Sequence, residues 1–174
     1  MSASPGIDDV ALQALVAQAV DLSTAEVARG GIPFAALVVD PLSGEVLGEG
    51  VNRVAEQHDA LAHAEIVALQ DAARRRGAYA LPGSLLIASG EPCGLCYHAA
   101  LQFRVGHVVY AASADDAARY GFDYRGSYSL FRSAPRQWWP GGVRAVAVDG
   151  ALAPFDLFAN HDAARLERQE KNPR

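Results

Sequence analysis

The chain has 174 residues, 51% of them hydrophobic and 20% charged, with a formal net charge of −5. That size and mix suit one soluble domain spanning 1–174, and the apolar runs break short of the ~20 residues a membrane span needs. The acidic balance disfavours nucleic acid as a main partner, because phosphate binding draws on a basic patch, and without a visible secretory leader a reducing, cytoplasmic setting is expected.

In chain order, Asp8 and Asp9 are placed to cap a first helix. Its apolar positions Val10, Leu15, Val16, Ala19 and Val20 recur at helical spacing up to Gly30-Gly31. "FAALVVD" (34–40) reads as a buried strand, "PLSG" as a turn and "EVLGEGV" (45–51) as the returning arm of a hairpin. A second helix covers roughly 62–76 and stops at Gly77. Its terminal "RRR" (74–76) is a solvated end whose cations favour the helix dipole. "SLLIAS" (84–89) is a strand, a helix follows from about Cys93, "HVVYAA" (107–112) is a strand and "SADDAARY" (113–120) a short helix. The stretch 121–142 lacks a clean period and reads as an ordered surface loop. "VRAVAV" (143–148) reads as a last strand, and an amphipathic helix at roughly 155–170 closes the chain. The order predicts an α/β fold: about five strands in a mixed sheet, sandwiched between helices, with parallel pairing between 84 and 118.

Both cysteines lie in "SGEPCGLCYHAAL" (89–101). A disulfide across so short a loop constrains little, and the expected setting is reducing. A redox pair at a helix N-terminus is physically reasonable, since the dipole lowers thiol pKa. A metal site is the third reading. Two thiolates at this spacing on the first turn of a helix can reach one zinc ion, and His63 in "AHAEIVAL" (62–69) supplies a third ligand. Three protein ligands leave a fourth position open, which is the arrangement of a catalytic zinc site. Glu65, two residues on, is then the general acid/base, since as a ligand it would have no proton to carry.

His-x-Glu followed by Pro-Cys-x-x-Cys is the zinc deaminase signature. On these motifs the sequence resembles the cytidine deaminase superfamily over nearly its whole length, and within it the guanine deaminase branch. "GGIPFAALVV" (30–39), Asn52, "EPCGLC" (91–96) and "DAARYGFD" (116–123) carry the likeness. The resemblance implies a three-layer α/β/α fold, a zinc cofactor held by His63, Cys93 and Cys96, hydrolytic loss of ammonia, and a homodimer. In the guanine branch, dimers often exchange the C-terminal segment, here about 150–174. By position it also implies that Asn52 hydrogen-bonds the substrate ring, that Phe34 lines the base pocket, and that Asp116 assists proton transfer beside Glu65.

The chain departs from relatives at Leu61, where threonine is common, and has no aromatic residue after Phe158. Leu61 is expected to place an apolar group close to the site. Trp138-Trp139 offers a lid over a flat heterocycle or a packing contact. His58, His98, His107 and His161 lack metal spacing and are expected at structural or surface positions, with His98 a candidate for the rim. The expected substrate is a small planar heterocycle: guanine, isoguanine, cytosine or an s-triazine. The alternatives are a tRNA adenosine editing enzyme, a cytidine or nucleotide deaminase, an inactive zinc-stabilised domain, and a redox protein.

Overall fold

The computed structural model describes residues 7–132. By contacts the chain divides into units of residues 1–133 and 134–174, and everything described belongs to the first. The predicted strand at 143–148, the helix at 155–170, Trp138-Trp139, His161 and the exchanged segment lie outside the described residues.

Helix α1 (Asp9–Ala28) starts where Asp8 accepts a hydrogen bond from the Ala11 amide, at 2.8 Å. By length and a mean hydropathy of 1.2, α1 is long and apolar enough to cross a membrane, contrary to the expectation from apolar runs. Its Leu12, Leu15, Val16 and Leu22, however, pack on Leu37, Val39, Leu85 and Ile87 of the sheet. Strands β1 (Ala35–Val39) and β2 (Val46–Val51) form the expected hairpin. After it comes a four-residue helix, α2 (Val54–Gln57), too short to leave a period in the sequence.

Helix α3 (Ala64–Arg76) ends on Gly77, whose φ of 61° is the left-handed C-cap conformation that glycine adopts without a Cβ penalty. The argininyl end behaves as a solvated one: Arg75 pairs with Asp71 at 2.8 Å and Arg76 with Asp40 at 3.6 Å. Strand β3 (Leu85–Gly90), helix α4 (Gly94–Gln102), strand β4 (His107–Ala112) and helix α5 (Ala114–Arg119) follow in the expected order. In place of the loop read from 121 onward, Arg125–Arg132 forms a 3₁₀ helix.

Among the described residues the sheet has four strands in the order β2-β1-β3-β4. β1 pairs antiparallel with both β2 and β3, and β3 pairs parallel with β4. β1 and β3 are buried along their whole length. Leu37, Val39, Leu85 and Ile87 face α1, while Ala36, Val38, Leu86 and Ala88 face a second cluster with Ala64, Ala68 and Leu69 of α3 and Ala100 of α4. A strand covered on both faces reads as a continuous apolar run, as "ALVV" and "LLIA" do. The result is the three-layer α/β/α arrangement.

Two glycines of β2 set how closely α3 approaches. A Cβ on Gly50 would stand 2.4 Å from the Ala64 carbonyl oxygen, and one on Gly48 2.4 Å from the Ala72 amide nitrogen. The helix backbone therefore rests directly on the strand. Its N-terminus is held against the sheet end where the chemistry sits.

Candidate active site

His63 and Cys93 occupy equivalent places. Each is the N-cap residue of its helix, α3 and α4, with extended backbone and no side-chain cap hydrogen bond. An N-cap side chain usually turns back onto its own helix; here imidazole and thiol are left for other work. Cys96 follows one turn into α4 and is fully buried. Two helix N-termini thus converge, and their dipoles favour the negative charge that thiolates bring.

The ligand atoms form a compact triangle. Cys93 Sγ lies 3.5 Å from His63 Nδ1, Cys96 Sγ lies 3.4 Å from it, and the sulfurs are 3.5 Å apart. Tetrahedral zinc, with bonds of about 2.3 Å to sulfur and 2.0–2.1 Å to nitrogen, requires separations of roughly 3.5–3.8 Å. The three donors fit it almost without movement. His63, Cys93 and Cys96 are the group among the described residues whose donor atoms cluster this way. The donors also influence one another. The Cys93 thiol is pushed down to about 4, first by hydrogen bonding to Cys96, while that contact and burial push Cys96 up. The Cys93 contact likewise raises His63. A dication held between the two sulfurs would favour the ionised form of both.

Glu65 sits in the first turn of α3 and is 5% exposed. Burial raises its carboxyl above the ordinary range, opposed by its own backbone amide and the Cys96 thiol. A carboxyl tuned upward in a cleft suits proton transfer near neutral pH.

His63, Glu65 and Cys93 line one side of a cavity of about 250 Å³, and Ile32, Phe34, Asn52, Val54, Glu91 and Tyr124 form the rest. Phe34 meets Phe122 edge-on at 5.2 Å and Tyr124 at 6.1 Å, so one wall is aromatic. Asn52 Oδ1 accepts from the Val54 amide at 3.2 Å, opening α2. That bond fixes the side-chain amide and leaves its NH₂ group as the donor on offer to the cavity.

The structure therefore brings together six of the seven residues singled out from the sequence. Asp116 is elsewhere. It closes a capping box with Ser113 at the start of α5 and pairs with Arg119 at 2.8 Å, with its side chain 46% exposed. Those contacts hold its carboxyl below the usual range. It borders a neighbouring apolar cavity with Phe34, Gly90 and Tyr120, not the one holding Glu65. Leu61 is exposed and does not line the site cavity. His98 is exposed on α4, next to Gln102, and His58 caps α2.

Four residues of the cavity, Ile32, Val54, Glu91 and Tyr124, had no role assigned from sequence, and the last two make polar contacts. Glu91 lies just before the Pro-Cys pair, and its Oε2 accepts from the Ala114 amide at 2.8 Å. Tyr124 comes from the region read as loop, and its hydroxyl donates to the Glu91 carbonyl at 2.7 Å. Position beside a motif was a signal for Glu91. Nothing local marks Tyr124, whose place depends on the fold of a later segment.

The family described as the cytidine and deoxycytidylate deaminase zinc-binding region matches residues 10–112. The chain belongs to that family. It is a zinc-dependent hydrolytic deaminase, with a His63/Cys93/Cys96 group suited to the metal. Its similarity places it with the guanine deaminase branch. It is 39% identical to a guanine deaminase of Bacillus subtilis over 131 residues, covering 75% of this chain and 81% of that protein. A solved structure of guanine deaminase from Bacillus subtilis superposes with a TM-score of 0.77 at 34% identity, covering 85% and 93% of the two chains. A protein solved in complex with 2,6-diaminopurine gives a TM-score of 0.61 at 36% identity, over 64% of this chain and 61% of that one. A tRNA-specific adenosine deaminase of Haemophilus influenzae is 39% identical over 95 residues, 55% of this chain and 54% of that protein.

Proposed function

We propose that the deaminase acts on a free nucleobase or related amino-heterocycle of the guanine, isoguanine, cytosine or s-triazine type, releasing ammonia. The observation that carries this reading is the cavity itself: small, walled by Phe34, Tyr124, Ile32 and Val54, and lined also by Glu65 and the metal ligands His63 and Cys93. Such a space suits a flat ring more than a nucleotide. Among the described residues no arginine or lysine lines it to hold a phosphate. The similarity to guanine deaminases and to a protein binding 2,6-diaminopurine points the same way.

In this reading His63, Cys93 and Cys96 hold the zinc. When bound, zinc supplies the Lewis acidity that makes water a nucleophile near neutral pH. Phe34 and Tyr124 confine the ring, and the Asn52 NH₂ donates to a ring acceptor. Glu65 accepts the proton of the attacking water and delivers it to a ring nitrogen; it then takes the remaining proton of the added hydroxyl and passes it to the amine, so that the carbonyl forms as the C–N bond breaks and ammonia leaves. Its burial keeps the proton available through this cycle. The rest of the proposal is a homodimer working in the cytoplasm, with a small heterocycle as partner.

The test is ammonia release by the purified protein from a panel of free bases, s-triazines, cytidine, dCMP and a tRNA anticodon stem-loop. Turnover of at least one free base or triazine, with cytidine and dCMP slower, is expected. Efficient conversion of a monophosphate or of the stem-loop, with every free heterocycle inert, replaces this reading with the nucleotide or editing alternative.

A further inference from the structure

The turn Glu91-Pro92-Cys93 joins β3 to α4 and delivers a metal ligand, yet neither element supplies partners for much of its backbone. The Glu91 amide donates to the Ala112 carbonyl at 2.8 Å. The outward carbonyls of Glu91 and Pro92 and the first amide of α4 remain. All three find partners in one short later segment. Tyr124 Oη donates to the Glu91 carbonyl at 2.7 Å, Tyr128 Oη donates to the Pro92 carbonyl at 2.9 Å, and the Gly94 amide donates to Ser127 Oγ at 2.9 Å.

We propose that Tyr124, Ser127 and Tyr128 form a clamp that positions the Cys93 turn for metal binding. The proposal rests on the metal site described above. The segment is itself anchored at its base. Arg125 bridges Asp123 and Asp115, each at 2.7 Å, tying it to α5. The ring of Tyr124 meets Phe34, and that of Tyr128 lies 6.2 Å from Tyr97 on α4. Glu91 continues the connection, since its carboxylate accepts from the first amide of α5. The turn is thus held by three directed hydrogen bonds on residues 91, 92 and 94. They bracket the ligand at 93. Cys93 has no cap bond of its own to fix it, so its Sγ position follows from the turn's backbone. The three are positioning residues: they touch backbone and no metal, and they act through Cys93. Groups that orient ligands from behind commonly change metal affinity by about 10–100-fold when removed.

The experiment uses the full-length zinc-loaded protein and its Ser127→Ala, Tyr128→Phe, Tyr124→Phe and Ser127→Ala/Tyr128→Phe variants, with exposed Tyr79→Phe as a control. Each change removes a hydroxyl and little volume, so folding is checked by circular dichroism and thermal melting. Zinc transfer to a chromogenic chelator gives a release rate, and cobalt substitution reports the thiolate geometry through its charge-transfer bands. The double variant is expected to release zinc about ten-fold or more faster, with altered cobalt bands, while Tyr79→Phe matches the parent. A Ser127→Thr variant, which keeps the hydroxyl, is expected to restore slow release relative to Ser127→Ala. Release rates within about two-fold of the parent in every variant, with unchanged cobalt spectra, overturn the clamp and leave the metal site standing. A parent that takes up no zinc overturns the metal site first, and the clamp with it.

Discussion

Glu65 Oε2 lies 3.4 Å from Cys96 Sγ, and the same sulfur lies 3.4 Å from His63 Nδ1. The buried carboxyl thus stands beside the ligand triangle and is not one of its three donors. That separation of roles can be tested.

Glu65→Gln is expected to retain zinc and fold while turnover falls by roughly 10²–10⁴-fold, the usual range for losing a general acid/base. Metal analysis and steady-state kinetics on the best substrate check it. Loss of zinc in this variant would make Glu65 a ligand; near-parental turnover would remove it from the chemistry.

Purified protein should carry about one zinc per chain, and Cys96→Ser should carry far less, because the serine hydroxyl replaces a thiolate ligand. Mass spectrometry of the metal in both preparations measures this. Full activity after exhaustive chelation would contradict it.

Asn52→Asp keeps the Oδ1 atom that accepts from the Val54 amide but removes the NH₂ donors from the cavity. We expect kcat/KM to fall by about ten-fold or more, since a buried acceptor left unpaired costs about 1–3 kcal/mol. Zinc content should not change. Unaltered kinetics would reduce Asn52 to a helix cap.

Asp116 offers a direct comparison between two roles. Its capping box and its contact with Arg119 predict that Asp116→Ala lowers stability measurably while turnover changes little. Asp115→Ala, which loses only the exposed pair with Arg125, should cost less. Denaturation curves and kinetics of both variants decide the matter. A ten-fold or greater loss of turnover in Asp116→Asn, with zinc intact, would instead restore the proton-transfer role inferred from resemblance.

Gly50→Ala should destabilise the fold by about 1–3 kcal/mol or more, because the new methyl meets α3 backbone, which cannot rotate away. Gly126→Ala, with nothing near its added carbon, should stay within about 0.5 kcal/mol of the parent. Equal midpoints in urea would show that α3 does not rest on the strand as described.

Much of this protein is legible locally. The buried strands, the capped helices and the metal ligands each follow from contiguous signals: "ALVV" flanked by turns, Asp8 before a long apolar-rich helix, Gly77 after α3, and His-x-Glu and Pro-Cys-x-x-Cys at helix starts. Chemistry demands specific atoms at fixed spacing, so short motifs carry the zinc site and the acid/base residue even though His63 and Cys93 are 30 positions apart. Only the tertiary structure decided the rest. Asp116, to which the resemblance gave a proton-transfer role, and Tyr124, which had none, both follow β4 in the same stretch. Their contacts differ. Ser113 and Arg119, one turn away on either side, satisfy the Asp116 carboxyl, while the 3₁₀ turn swings the Tyr124 ring into the cavity and its hydroxyl onto Glu91. Hydrogen bonds between residues 33 to 36 positions apart leave no period to read, because they depend on where two remote backbones meet rather than on either segment alone.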